Sequence, residues 1–194
     1  MKTAMAAVGA VLALTLAVAA CGSSPSHSAA PSGAPPTAAA SGVLPTAAVT
    51  GLAVVTQPLT ARAVQKDSTA PNLAARLDRW GYVGGWQRTF QGESRRLTLV
   101  VSRSLQFTNS PGAAAFVAYM HQKVGSFYPF ALTSPLSMPG RSGWVIRPPL
   151  CGCHMATPLV VGVTAQGRKV SWLEINGPQA TTRLLTQLLA RTPA

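Results

Sequence analysis

Cys151-Gly152-Cys153-His154 is the run in this 194-residue chain whose residue types and spacing best suit chemistry. Two thiolates and an imidazole suit zinc or copper, with His27 or His121 as further ligands. Structural zinc sites usually draw a second ligand pair from a defined distance, and only three cysteines are present, one of them, Cys21, far away near the N-terminus. The run also lacks the two-residue gap of a Cys-x-x-Cys-His haem attachment. In an oxidising compartment the two thiols would instead close a small, strained Cys151–Cys153 ring, pinning the chain ahead of residue 159 and open to reduction. Disulfide, free or intermolecular thiols, and metal ligands are the three states of this run, with the disulfide as the leading expectation.

Acid/base chemistry has little to draw on. The four carboxylates are Asp67, Asp78, Glu93 and Glu174, with Asp67 in an expected loop. A paired-carboxylate glycosidase or a Ser-His-Asp triad is therefore poorly supplied. No Gly-x-Ser-x-Gly elbow or His-Glu-x-x-His motif occurs. His121 falls on the polar side of an expected helix, where a solvated role is the default. The chain is expected not to be an enzyme.

Cys21 belongs to a different pattern. Lys2 precedes an uncharged apolar run, residues 5–20, that is too short to span a bilayer stably and ends Val18-Ala19-Ala20-Cys21-Gly22. Small side chains ahead of a cysteine resemble the lipobox of bacterial lipoproteins. That resemblance implies a signal peptide over residues 1–20, cut before Cys21 once its thiol has received diacylglycerol. Residues 23–42 are almost all Ser, Ala, Pro and Gly, a composition that cannot bury enough apolar surface to fold and reads, with Cys21, as a tether over 21–42. Residues 43–194 are then expected to form one domain.

The charge is lopsided: 16 Lys+Arg against 4 Asp+Glu, net +12, and +11 without Lys2. Such a field favours anionic phospholipid or wall polymer beside the anchor. Nucleic acid is not expected, since the chain is exported and shows no basic-aromatic module. Most cations stand singly (Arg76, Arg79, Arg88, Arg103, Arg141, Arg147, Arg183), which suits a general field rather than a groove.

These residues need a scaffold. Residues 43–60, punctuated by Pro45 and Pro58, read as an extended lead-in with an edge strand. Pro71, Leu73, Leu77 and Trp80, closed by Gly81, mark a short helix. Residues 82–91 read as a strand with a bulge at Gly84-Gly85, and residues 97–107 alternate as a strand whose apolar phase Arg103 interrupts. Ser110-Pro111 opens a helix with a stripe through Ala113, Phe116, Val117, Met120 and Val124, ending at Gly125. Residues 127–149, broken by prolines, read as loops around a short strand at 144–146. Residues 159–164 and 170–175 form a hairpin about Gln166-Gly167, and after Asn176-Gly177-Pro178 a last helix carries Leu184, Leu185, Leu188 and Leu189. The expected architecture is α+β: an antiparallel sheet of about five strands packed against two main helices. Trp80, Tyr82, Trp86 and Phe90 are expected in its core, whereas Phe127, Tyr128 and Phe130 in a proline-bounded loop are candidates for lining a ligand pocket.

Lipobox, Ala/Pro/Ser tether and small head together resemble the lipoproteins of high-GC actinobacterial cell envelopes, and the element order of the head resembles the PsbP-like domains of LpqN-type mycobacterial lipoproteins. The resemblance implies an antiparallel sheet against helices and carries over no functional residue. The expectation is a lipoprotein on the outer face of the cell membrane, binding an envelope lipid, polymer or protein without a cofactor. The alternative is a metal or redox protein centred on Cys151, Cys153 and His154.

Overall fold

The computed structural model describes residues 42–150 and 157–193. The strands are β1 (Ala53–Leu59), β2 (Tyr82–Gln91), β3 (Leu99–Phe107), β4 (Leu132–Met138), β5 (Arg141–Arg147), β6 (Leu159–Gln166) and β7 (Lys169–Asn176). They form one sheet in the order β1-β2-β3-β7-β6-β5-β4, with every neighbouring pair antiparallel. Two meanders, β1 to β3 and β4 to β7, therefore meet where β3 lies beside β7.

Helices α1 (Ala61–Lys66), α2 (Leu73–Arg79), α3 (Ser110–Gln122) and α4 (Val124–Phe127) follow the first meander's strands, and α5 (Thr182–Leu189) closes the chain. Their ends are set by side chains that occupy otherwise unpaired amides. Thr60 Oγ1 accepts from Ala63 N–H, Asn109 Oδ1 from Gly112 N–H and Thr181 Oγ1 from Leu184 N–H. At the far end of α5, Arg141 donates to the carbonyls of Leu189 and Thr192, so a cation meets the negative end of the helix.

Alternation along the central strands divides the core in two. One face carries Leu105, Phe107, Val161, Val163, Val170 and Trp172 under α1, α2 and α3. The other carries Phe90, Val100, Val145, Val160, Leu173 and Ile175 under α5, together with Leu44 from the lead-in. Strands buried on both faces read as nearly continuous apolar runs, as residues 159–163 do.

The expectation of about five strands and two main helices is corrected: among the described residues there are seven strands, and helices cover both faces of the sheet. The difference lies in residues 127–149, where prolines stand in an edge strand and a tight turn rather than in loops. Pro135 sits in β4, an edge strand that can spare its amide, and Pro139-Gly140 forms the turn into β5, with Gly140 at φ +69°. The lead-in is likewise a full edge strand, β1, carrying Pro58. Two short helices, α1 and α4, add to the expected elements. The irregularity expected at Gly84-Gly85 falls just ahead of it, between Tyr82 and Gly84, and the long helix from Ser110 is present with Asn109 as the cap instead of Ser110.

Gly162 shows how closely α5 rides on the sheet, since a Cβ there would lie 2.7 Å from Leu189 Cδ1 and 3.0 Å from Leu185 Cδ2. Gly162→Val is expected to lift α5 and cost about 1–3 kcal/mol in urea unfolding. An unchanged midpoint would show that α5 is not seated on this strand.

Candidate functional site

Arg103 stands on the inward phase of β3, between Val101 and Leu105, with its side chain only 7% exposed. Register places Gln87 of β2 and Trp172 of β7 directly beside it. Arg103 Nε donates to Gln87 Oε1 at 2.8 Å, Nη1 donates to Glu174, and Nη2 pairs with Asp67 Oδ2 at 3.1 Å. The guanidinium lies over the Trp172 ring, 4.3 Å from its centroid. Tyr128 extends the network, its hydroxyl donating to Glu174 Oε1 and accepting from Trp172 Nε1, both at 2.9 Å.

Desolvation alone would lower the Arg103 pKa, but Glu174, then Asp67, outweigh it, so the cation is held more firmly than usual. Burial pushes the Tyr128 phenol well above its ordinary value, and the Glu174 charge adds to this, so Tyr128 stays a proton donor. Burial also raises Asp67; Arg103 opposes the rise and Glu174 reinforces it. Each guanidinium nitrogen already has a partner, and Tyr128 both donates and accepts. The arrangement therefore acts as a fastener tying α1's end, β2, β3, β7 and the end of α4 together, with the guanidinium buried among its partners.

Of the candidate residues from the sequence, the described ones, Phe127, Tyr128, Phe130 and His121, do not converge on one site. Cys21, His27, Cys151, Cys153 and His154 lie outside the described residues, the last three in the connection from β5 to β6. Phe127 is buried edge-on against Trp172, with ring centroids 6.0 Å apart, and Tyr128 belongs to the network just described. Phe130 points into solvent, 89% exposed, so the three rings do not line a common pocket. His121 stacks flat on Trp144, ring centroids 3.5 Å apart, joining α3 to β5. Among the described residues no group of three or more His, Cys, Asp or Glu is placed to hold a metal ion.

Phe130 is unusual in backbone as well as exposure. Ala131 N–H donates to Tyr128 O, closing a turn with Pro129 in its second position and Phe130 in its third at φ +59°. A positive φ at that position normally selects Gly or Asn. Two residues on, Leu132 is 70% exposed and lies across from Arg147 of β5; Leu150, 61% exposed, follows three residues after that arginine. Directly opposed residues of antiparallel strands project to the same face, so Leu132 and Arg147 are side by side. Recesses elsewhere are small: about 160 Å³ between the lead-in and α5 around Leu52, Arg96 and Leu188, about 300 Å³ around Gly84 and Trp86, and about 270 Å³ between α3 and Trp144. These volumes sit at or below the lower bound for small-molecule sites, about 300 Å³.

Arg103→Met is expected to cost about 3–5 kcal/mol in urea unfolding, because it strands Glu174 and Asp67 without their cation. Asp67→Asn should cost less, since Asp67 is 36% exposed and water screens it. The Asn variant also reports on pH. A raised folded pKa means that the Asp67 contribution is complete below the unfolded aspartate pKa and is lost as pH rises through the folded one. Removing that titration should flatten this step of the stability profile; its survival in the variant would assign the step to another group.

No family model and no curated protein matches the chain. Among solved structures, the fold is similar to the extracellular domain of PknH from Mycobacterium tuberculosis, at 13% identity and a TM-score of 0.45 over 72% of this chain and 80% of that one.

Proposed function

We propose that the chain is an extracytoplasmic lipoprotein, anchored through diacylglycerol on Cys21 at the outer face of the cell membrane, whose head is a non-enzymatic interaction module for an envelope component. The observation that carries the interaction reading is Phe130: a bulky aromatic ring is displayed to solvent on a backbone conformation that disfavours it. Neither exposure nor positive φ helps folding, and residues held against local preference concentrate at functional sites. The sparse acid/base chemistry supports the same reading, since Asp67 and Glu174, two of the four carboxylates, are committed to Arg103. Lipobox and tether supply the address, and the resemblance to actinobacterial envelope lipoproteins agrees with it. Among the described residues no helix is long and apolar enough to cross a membrane.

Labelling growing cells with radioactive palmitate tests the anchor. The natural chain is expected to take up label and to be cut by protease added outside the cell wall-stripped cells, whereas Cys21→Ser takes up none. The polypeptide over residues 21–194 carrying Cys21→Ser is expected to co-sediment with a crude envelope preparation containing both membrane and wall polymer. Failure to sediment with it would remove the interaction reading.

A further inference from the structure

We propose that the 128–131 turn and its neighbours form a membrane-contacting tip, in which Phe130, Leu132 and Leu150 enter the headgroup layer of an anionic bilayer while Arg147 meets lipid phosphate. The proposal rests on the interaction reading above and names the partner. Its first support is the form of the patch. The three apolar side chains are loop-borne or edge-borne points, 89%, 70% and 61% exposed, rather than the walls of a groove. Separate points suit a soft medium that closes around each one, whereas a protein partner would have to supply a matching pocket for each.

Charge is the second support. The chain carries a large excess of cations, 16 Lys+Arg against 4 Asp+Glu, and two of the four carboxylates, Asp67 and Glu174, are drawn inward to Arg103. What remains outside is an overwhelmingly positive surface, complementary to acidic lipid and repelled by a second copy of itself. Arg147 stands directly beside Leu132; Leu132 comes two residues after Phe130 and Arg147 three before Leu150, so one apolar point has a cation next to it and the other two lie close in sequence. Aromatic and aliphatic groups flanked by Arg are the composition that sits at the boundary of headgroups and acyl chains.

Reach is the third. An acyl chain on Cys21 would keep the head within about 75 Å of the bilayer, the greatest span of the 21 peptide units up to Gly42. Under that confinement a weak surface affinity is enough to hold the tip down.

The test uses residues 21–194 with Cys21→Ser, so that no acyl chain contributes, and sedimentation with vesicles of phosphatidylcholine alone or mixed with phosphatidylglycerol. Binding is expected to the mixed vesicles and to fall steeply with added salt. Phe130→Asp combined with Leu132→Asp should weaken it about tenfold or more, the loss expected for withdrawing two apolar side chains from the interface. Phe130→Gly is the control for folding: glycine accepts φ +59°, so the melting temperature should hold or rise while vesicle binding falls. Equal vesicle binding by the natural sequence and Phe130→Gly would overturn the proposal. So would retention on crude envelope without binding to either vesicle, which would make the partner a wall polymer or a protein and leave the broader interaction reading standing.

Discussion

A single buried cation organises the sheet's larger face. Arg103 lies where a small domain would ordinarily place an aliphatic side chain, and its charge must be matched before the layer above can close. Gln87, Asp67, Glu174 and the Trp172 ring match it from one side each. Because these groups come from different parts of the chain, the match exists only when the two meanders and the α1 turn are all in place. Such a cluster is a poor source of net stability, since desolvation consumes much of the Coulomb attraction. Its effect is geometric: it penalises every arrangement that leaves the guanidinium alone.

The same network reaches the surface through Tyr128. Its hydroxyl bridges Glu174 and Trp172, and Phe127 packs beside it on Trp172, so the chain leaving α4 is fixed in position. Two residues later the backbone turns through Pro129 and delivers Phe130 outward at a positive φ. A strained turn persists only where its surroundings over-determine it, and here the buried anchor supplies that constraint. Core and surface tip are thus joined by two consecutive peptide units, Tyr128 to Pro129 and Pro129 to Phe130.

Much of this was legible in the residues, and what was not has a physical cause. The alternation of 97–107 located β3 and flagged Arg103 as a break in its apolar phase, but a single strand does not show which carboxylates answer it. Trp172 and Glu174, two apart on β7, share the face of Val170, and that i, i+2 spacing was the available signal for the partner strand. Phe127, Tyr128 and Phe130 stood out as a group, yet their division into two core rings and one exposed ring depends on α4, a helix of one turn too short for periodicity to reveal. Prolines misled most. Pro135 and Pro139 suggested loops, because sequence alone does not distinguish a central strand, which needs every amide, from an edge strand, which does not.

Whether the buried network holds the strained turn is tested most directly by a double-mutant cycle on unfolding free energy with Tyr128→Phe and Phe130→Gly. If the anchor imposes the strain, relieving it with glycine gains less once the Tyr128 hydroxyl has gone. The two changes should then couple by about 0.5 kcal/mol or more, with the smaller glycine gain in the Tyr128→Phe background. Strict additivity would contradict the account, showing that the turn keeps its shape independently of the Arg103–Glu174–Tyr128 network.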